Sequence, residues 1–217
     1  MLQILVYGDS LTWGIVPNTR TRLPFAQRWP RVMEQALAGA GHDVRVIEDC
    51  LNGRRTVWDD PFKPGRNGLV GIEQRLEINS PLAMIVLMLG TNDFQSMHQH
   101  NAWHSGQGIA ALVRAMRRAP VEPGMPMPEI LIVAPPPITT PIAQPLAPKF
   151  AGAPSRCVGL ADAYAEVATE LGCPFFDAAS VTSTSPIDGV HLDAEQHGRL
   201  GRALAGVVAG TLPRARP

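Results

Sequence analysis

Apolar residues fall in short, nearly unbroken runs that alternate with stretches of helical spacing. The first run, Leu2–Tyr7, halts at Gly8-Asp9-Ser10. Such a run, bounded by turn residues, reads as a buried strand opening onto a turn, and the residues from Ser10 on would begin a helix. Trp29–Ala38 carries Val32, Met33, Ala36 and Leu37 on one face; Pro30 suits its first turn, and Gly39 and Gly41 end it. Val44–Ile47 is a second strand, followed by a polar loop from Glu48 to Asn67. Leu69, Ile72 and Leu76 predict a short helix around Leu69–Ile78, broken by Pro81. Ala83–Leu89, the most continuous apolar run, suits a strand covered on both faces. Ile109, Leu112, Val113 and Met116 mark the next helix, Ile130–Ala134 a fourth strand, Val158–Leu171 a helix and Phe175-Phe176 a short fifth strand. Asp193, with Gln196 three residues on, has the spacing of a capping box; Leu200, Leu204, Val207 and Val208 give the last helix its buried stripe.

Repeated strand–helix units of this kind specify a parallel sheet with helices on both faces. With 217 residues the chain can bury one sizeable core, and neither an internal repeat nor a linker divides it, so residues 1–217 read as one domain. The proline-dense stretch at about 135–154 is its insertion. It is either a rigid surface loop or a lid or subunit contact, because Ile138, Ile142, Leu146 and Phe150 would otherwise expose apolar surface.

Charge narrows the function classes. Nineteen basic residues balance nineteen acidic ones and no basic stretch occurs, so nucleic acid is not an expected partner. No apolar run approaches the roughly 20 residues of a membrane span. The first strand begins by about Ile4, which leaves no room for a signal peptide and points to a cytoplasmic chain. Cys50, Cys157 and Cys173 show no CxxC spacing and read as thiols in a reducing compartment.

Candidate chemistry lies in four segments. Ser10 follows the first strand, Asn52-Gly53 the second and Gly90-Thr91-Asn92-Asp93 the third, while Asp188-Gly189-Val190-His191 comes near the C-terminus. The first three would gather Ser10, Gly53 and Asn92 at the carboxyl edge of the sheet, where open α/β sheets bind ligands. Asp188 and His191, three apart, have the spacing for a carboxylate to orient an imidazole toward a nucleophile. Each segment also has a plain alternative: a helix cap at Ser10, ordinary turns at 52–53 and 90–92, and a surface or capping histidine at 191. Asp9 reads as a turn-stabilising carboxylate, and the Gly-x-Ser-x-Gly elbow is absent.

Together the four segments resemble the SGNH hydrolases, also called GDSL esterases, in order and across nearly the whole chain. The resemblance implies a three-layer α/β/α, flavodoxin-like fold with a central five-stranded parallel sheet. It implies Ser10, Asp188 and His191 as catalytic residues. It also implies an oxyanion hole from the backbone N–H of Ser10, the backbone N–H of Gly53 and the side-chain amide of Asn92. Gly8–Gly14, Leu87–Asp93 and Asp188–His191 look most like the arylesterase and acyltransferase branch, whose members act on small acyl esters, need no cofactor and often form homo-oligomers; no metal is expected. Gly53 departs from that branch's acyltransferase, which carries alanine there; this puts a strong preference for alcohols over water in doubt. Leu11, Trp13 and Ile15, flanking the nucleophile, and Phe94 are expected to wall the substrate pocket, with Met97 or Trp103 as further wall. The partners implied are a small ester and an alcohol acceptor.

Three rival readings stand beside it. His98, His100 and His104 crowd one loop and could bind zinc, although no Cys or Asp lies among them as a fourth ligand. A carbohydrate or lysophospholipid deacylase would use the same triad. A flavodoxin-like binding module would use Ser10 as a phosphate-binding cap and leave Asp188 and His191 without a task.

Overall fold

The apolar runs become five parallel strands in a computed structural model that describes residues 1–141 and 145–212. They are β1 (Leu2–Gly8), β2 (Val44–Cys50), β3 (Met84–Met88), β4 (Glu129–Ala134) and β5 (Phe175–Asp177), in the order β2-β1-β3-β4-β5. This is the flavodoxin-like order, in which the direction of strand addition switches between β1 and β3. Helices α1 (Ser10–Trp13), α2 (Trp29–Gly39), α3 (Ile72–Asn79), α4 (Ala102–Met116), α5 (Leu146–Lys149), α6 (Ala153–Arg156), α7 (Leu160–Leu171) and α8 (Ala194–Thr211) connect and cover the strands.

Alternate strand residues point to opposite faces, so each strand feeds two cores. Ile4, Val6, Met84, Val86, Leu131 and Val133 pack with Trp29, Met33 and Leu37 of α2 and with Leu200, Leu204 and Val208 of α8. Leu5, Tyr7, Ile85, Leu87 and Ile132 pack on the other side with Ile109, Leu112 and Val113 of α4 and Tyr164 and Val167 of α7. β3 is buried at every position, which is why its sequence shows no alternation.

Element edges shift where caps override periodicity. The helix expected from Leu69 starts at Ile72, because Gly71 turns the chain with φ +75° just before it. The helix expected from Val158 starts at Leu160 after Gly159, leaving Val158 exposed. α4 begins well before Ile109, at a capping box made by Asn101 and His104. β2 runs on to Cys50 as its N–H and C=O groups follow Gly8 of β1. In the proline-dense stretch, Ile138 and Phe150 are buried, and α5 and α6 carry the chain past the sheet's carboxyl edge; Ile142 lies outside the described residues. No helix among the described residues is long and apolar enough to cross a membrane.

α2 and α8 approach closely at Gly201. A Cβ there would lie 2.6 Å from the Trp29 carbonyl oxygen and 2.7 Å from Val32 Cβ. Gly201→Ala must push the two helices apart, and such overpacking costs about 1–3 kcal/mol. The expected result is a lower denaturation midpoint with an unchanged m-value.

Candidate active site

Three turns meet at the carboxyl ends of β1, β2 and β3. In the first, Asp9 is the N-cap of α1: its Oδ1 accepts the Leu11 N–H at 2.9 Å, so the cap is Asp9 and not Ser10. Ser10 is the first residue of that single helical turn, and its hydroxyl has no hydrogen-bond partner among the described residues. In the second turn the Arg54 N–H closes on the Leu51 carbonyl at 2.9 Å, which places Asn52 and Gly53 at the corners. Gly53 has φ +84°, a conformation that glycine adopts without the steric cost of a Cβ. Neither the Ser10 nor the Gly53 N–H has an acceptor among the described residues. Free donors at a helix start and a turn corner are the arrangement that receives negative charge on a ligand.

The third turn presents Asn92 from a short 3-10 segment, Thr91–Phe94. Asn92 Nδ2 donates to Asp9 Oδ2 at 2.9 Å and to the Arg54 carbonyl at 3.2 Å, and Oδ1 accepts from Gln95 Nε2 at 2.7 Å. The amide is therefore held on every side, and a ligand oxygen would have to replace the longer of its two donated bonds. Asp9 is buried, which pushes its carboxyl up to about 6 against the opposing pull of the Leu11 N–H, the His191 charge, Asn92 and Arg54. Its neighbour in the third turn, Asp93, faces away from the cleft. Asp93 accepts from the Thr56 N–H and hydroxyl and from Ser105, and so ties the loop after β2 to α4.

Asp188 and His191 arrive from a turn just before α8. His191 Nδ1 and Asp188 Oδ2 lie 2.7 Å apart, and Asp188 also accepts N–H groups from Asn18 at 3.1 Å, Val190 at 2.9 Å and His191 at 2.8 Å. Burial alone would raise this carboxyl. The hydrogen bond and charge of His191, with the Val190 and His191 N–H groups, outweigh it and hold Asp188 at about 2. The second imidazole nitrogen has no partner among the described residues. Ser10, Gly53, Asn92 and His191 together line one cleft of about 70 Å³, with Ile15 and Asn52 between them.

The remaining pocket expectations are corrected. Leu11 is 1% exposed and packs in the α2/α8 core, because one helical step from Ser10 turns its side chain under the sheet edge. Trp13 is covered by Arg22, whose guanidinium lies 4.6 Å from its ring centroid, and it does not line the cleft. Phe94 is fully buried in the other core. Of the four expected wall residues only Ile15 reaches the cleft; Met97 lines an adjoining groove, and Trp103 stands exposed at the start of α4.

The three histidines stack instead of converging. His98 and His100 lie nearly parallel at 4.8 Å between centroids, and His100 also packs on Trp58 at 4.1 Å. His104 spends Nδ1 on the Asn101 cap. Burial first, then the neighbouring His98 and His104, push His100 down to about 4. Among the described residues no three His, Cys, Asp or Glu side chains gather as metal ligands. The cysteines are all unpaired; burial and the nearby Glu48 push the Cys50 thiol up to about 12 and keep it protonated.

Sequence reasoning missed the long-range supports. Arg54 is buried, reaches back to the Gly8 and Asp49 carbonyls at 3.0 and 2.7 Å, and so clamps the first two turns together. Arg55, fully buried, donates to Gln95 at 2.5 Å and to Asp60 at 3.2 Å, which continues the network behind Asn92. The one sequence signal was a pair of arginines directly after Asn52-Gly53 in a sparsely charged chain.

A model of the GDSL-like lipase/acylhydrolase family matches residues 6–199. The structure superimposes on a carbohydrate acetylesterase family member from Sinorhizobium meliloti with a TM-score of 0.92 and 42% identity, over 98% of this chain and 99% of that one. An inhibitor-bound aryl esterase of M. smegmatis gives a TM-score of 0.92 at 34% identity, over 98% and 100% of the two chains. An arylesterase of Vibrio mimicus is 32% identical over 91 residues, 42% of this chain and 38% of that protein, so the match spans well under half of that relative.

Proposed function

The chain belongs to the GDSL-like lipase/acylhydrolase family, and from that membership we propose that it is a serine esterase that hydrolyses small acyl esters, acetates first, through an acyl-enzyme on Ser10. The convergence of Ser10, Gly53, Asn92 and the Asp188–His191 pair in one small cleft carries the reading. Its volume of about 70 Å³ suits an acetyl group and leaves little room for a long acyl chain.

Asp188 keeps the Nδ1 proton on the imidazole, which leaves the other nitrogen to act as base. The Ser10 hydroxyl attacks the ester carbonyl as His191 takes its proton. Negative charge develops on the former carbonyl oxygen, where the Ser10 and Gly53 N–H groups receive it. Asn92 joins them by giving up its 3.2 Å bond to the Arg54 carbonyl. Donors aimed at that oxygen are each worth roughly 3–4 kcal/mol in the transition state. The intermediate collapses, His191 passes its proton to the departing alkoxide, and water repeats the sequence on the acyl-enzyme. No step requires a metal or cofactor.

With Leu11 and Trp13 turned away from the cleft, water is the main acceptor. Transfer to an alcohol is a minor branch of the same mechanism, with the alkyl part held by the adjoining groove of Phe62, Met97, Pro145 and Pro148. Acetylated sugars are the second substrate reading, favoured by the 42% identical acetylesterase family member.

The test is acid quenching during turnover of p-nitrophenyl acetate, followed by peptide mass analysis. One acetyl group on the peptide containing Ser10, with a stoichiometric burst of nitrophenol, is the expected result. Turnover with no acylation at Ser10 overturns the mechanism. Comparison of acetylated sugars with aryl acetates then separates the two substrate readings.

A further inference from the structure

Arg20, Lys63 and Lys149 converge on the cleft that holds Ser10 and His191, coming from three separate segments of a chain whose net charge is zero. Among the described residues none of the three forms an ion pair within 4 Å. The carboxylates beside them are already committed. Asp60 accepts from the fully buried Arg55 at 3.2 Å and from the Phe62 and Lys63 N–H groups at 2.9 and 3.0 Å. Asp188 is spent on His191 and three backbone N–H groups. The mouth therefore carries unmatched positive charge, and the cations feel one another. Lys149 is pushed down by burial first, and then, against the opposing pull of Asp60, by Arg55, Lys63 and Arg20. Lys63 is pushed down by burial and by Arg66 and Arg20, against Asp60.

A groove of about 620 Å³ opens beside the small cleft and shares Asp60, Lys63 and Lys149 with it. Its other walls include Phe62, Met97, Pro145 and Pro148, an apolar surface for a ring or short chain. With an acetyl group in the small cleft, as the esterase reading has it, a bulkier alcohol part would extend into the groove, within reach of the two lysines that the cleft and groove share.

Resting on the esterase reading above, we propose that this mouth selects acetyl esters whose alcohol part carries an anionic group on an apolar or aromatic body. Gathering unpaired cations at a substrate entrance raises the local concentration of anions and favours their docking. Exposed pairs are individually weak, so the preference comes from the cluster and is expected to be about tenfold in kcat/KM, equivalent to about 1.4 kcal/mol.

The probes are 4-acetoxybenzoate and its neutral isostere 4-acetoxybenzamide, measured as a ratio of kcat/KM. At about 10 mM salt, where the screening length is about 30 Å, the ratio is expected near ten in favour of the anion. Raising sodium chloride to about 0.5 M, where that length falls to about 4 Å, is expected to bring it within about twofold of one. The combined Lys63→Met and Lys149→Met protein is expected to lose most of the low-salt preference. A low-salt ratio at or below one, or a preference that salt leaves intact, overturns the proposal with the unaltered protein alone. Equal hydrolysis of both esters defeats the charge selection while leaving the esterase reading in place. Hydrolysis of neither defeats the esterase reading itself.

Discussion

Ser10→Ala is expected to reduce kcat on p-nitrophenyl acetate by at least about 1,000-fold while leaving the denaturation midpoint unchanged. Loss of a triad nucleophile leaves only the catalysis that oxyanion donors and binding supply, and in such systems the deficit is several orders of magnitude. Stability is expected to hold because the Ser10 hydroxyl makes no hydrogen bond among the described residues and because Asp9 caps α1. A helix-capping serine would behave in the opposite way: its loss would cost about 1 kcal/mol and spare activity. The free Ser10 and Gly53 N–H groups remain in the variant, so substrate binding should survive as KM within a few-fold. A folded Ser10→Ala protein that keeps more than a few per cent of turnover would move the nucleophile elsewhere.

The sheet was legible because each strand is a short apolar run stopped by a turn residue. Parallel order followed from the helices between them. The gathering of the candidate site residues was legible to the same depth: Ser10, Gly53 and Asn92 each stand just past a strand, and parallel strands all end at one edge. What sequence position does not carry is the direction of a side chain within a single turn. Leu11 is one residue from Ser10 and Phe94 two from Asn92, yet they point into opposite cores. Arg54, Arg55 and Gln95 were illegible for another reason. Arg55 and Gln95 pair only because the loops after β2 and β3 meet, and Arg54 reaches back to Gly8 and Asp49 at the ends of β1 and β2. Lys63, in the loop after β2, and Lys149, at the end of α5, become neighbours only when the stretch after β4 folds over the cleft.

Asp188→Asn is expected to lower kcat by about 1,000-fold or more, as neutralising the orienting carboxylate does in a serine triad. Asp188 accepts from the Val190 and His191 N–H groups at Oδ1, and from the Asn18 N–H and His191 Nδ1 at Oδ2. An asparagine has one acceptor oxygen, and keeping it at the Oδ1 place turns its NH₂ toward Asn18 and His191. The imidazole then accepts at Nδ1 and carries its proton on the other nitrogen, where it can no longer take one from Ser10. Stability carries a second signature. The folded carboxyl sits at about 2 against an ordinary value of 3.8, so its contribution is full above about 4 and disappears as pH falls through about 2. That contribution is up to about 2 kcal/mol at neutral pH. Asp9, held up at about 6, and His197, held down at about 3 by burial, with His191 and Arg28 adding to it, also titrate in acid but in both proteins alike. The difference in unfolding free energy between unaltered and Asp188→Asn proteins should therefore be largest near pH 7 and shrink below about pH 4. Denaturant titrations at pH 7, 4 and 3 measure it, and a difference that stays constant would mean that the carboxylate's charge is not what the fold uses. A kcat loss below about tenfold would assign the orientation of His191 to another group.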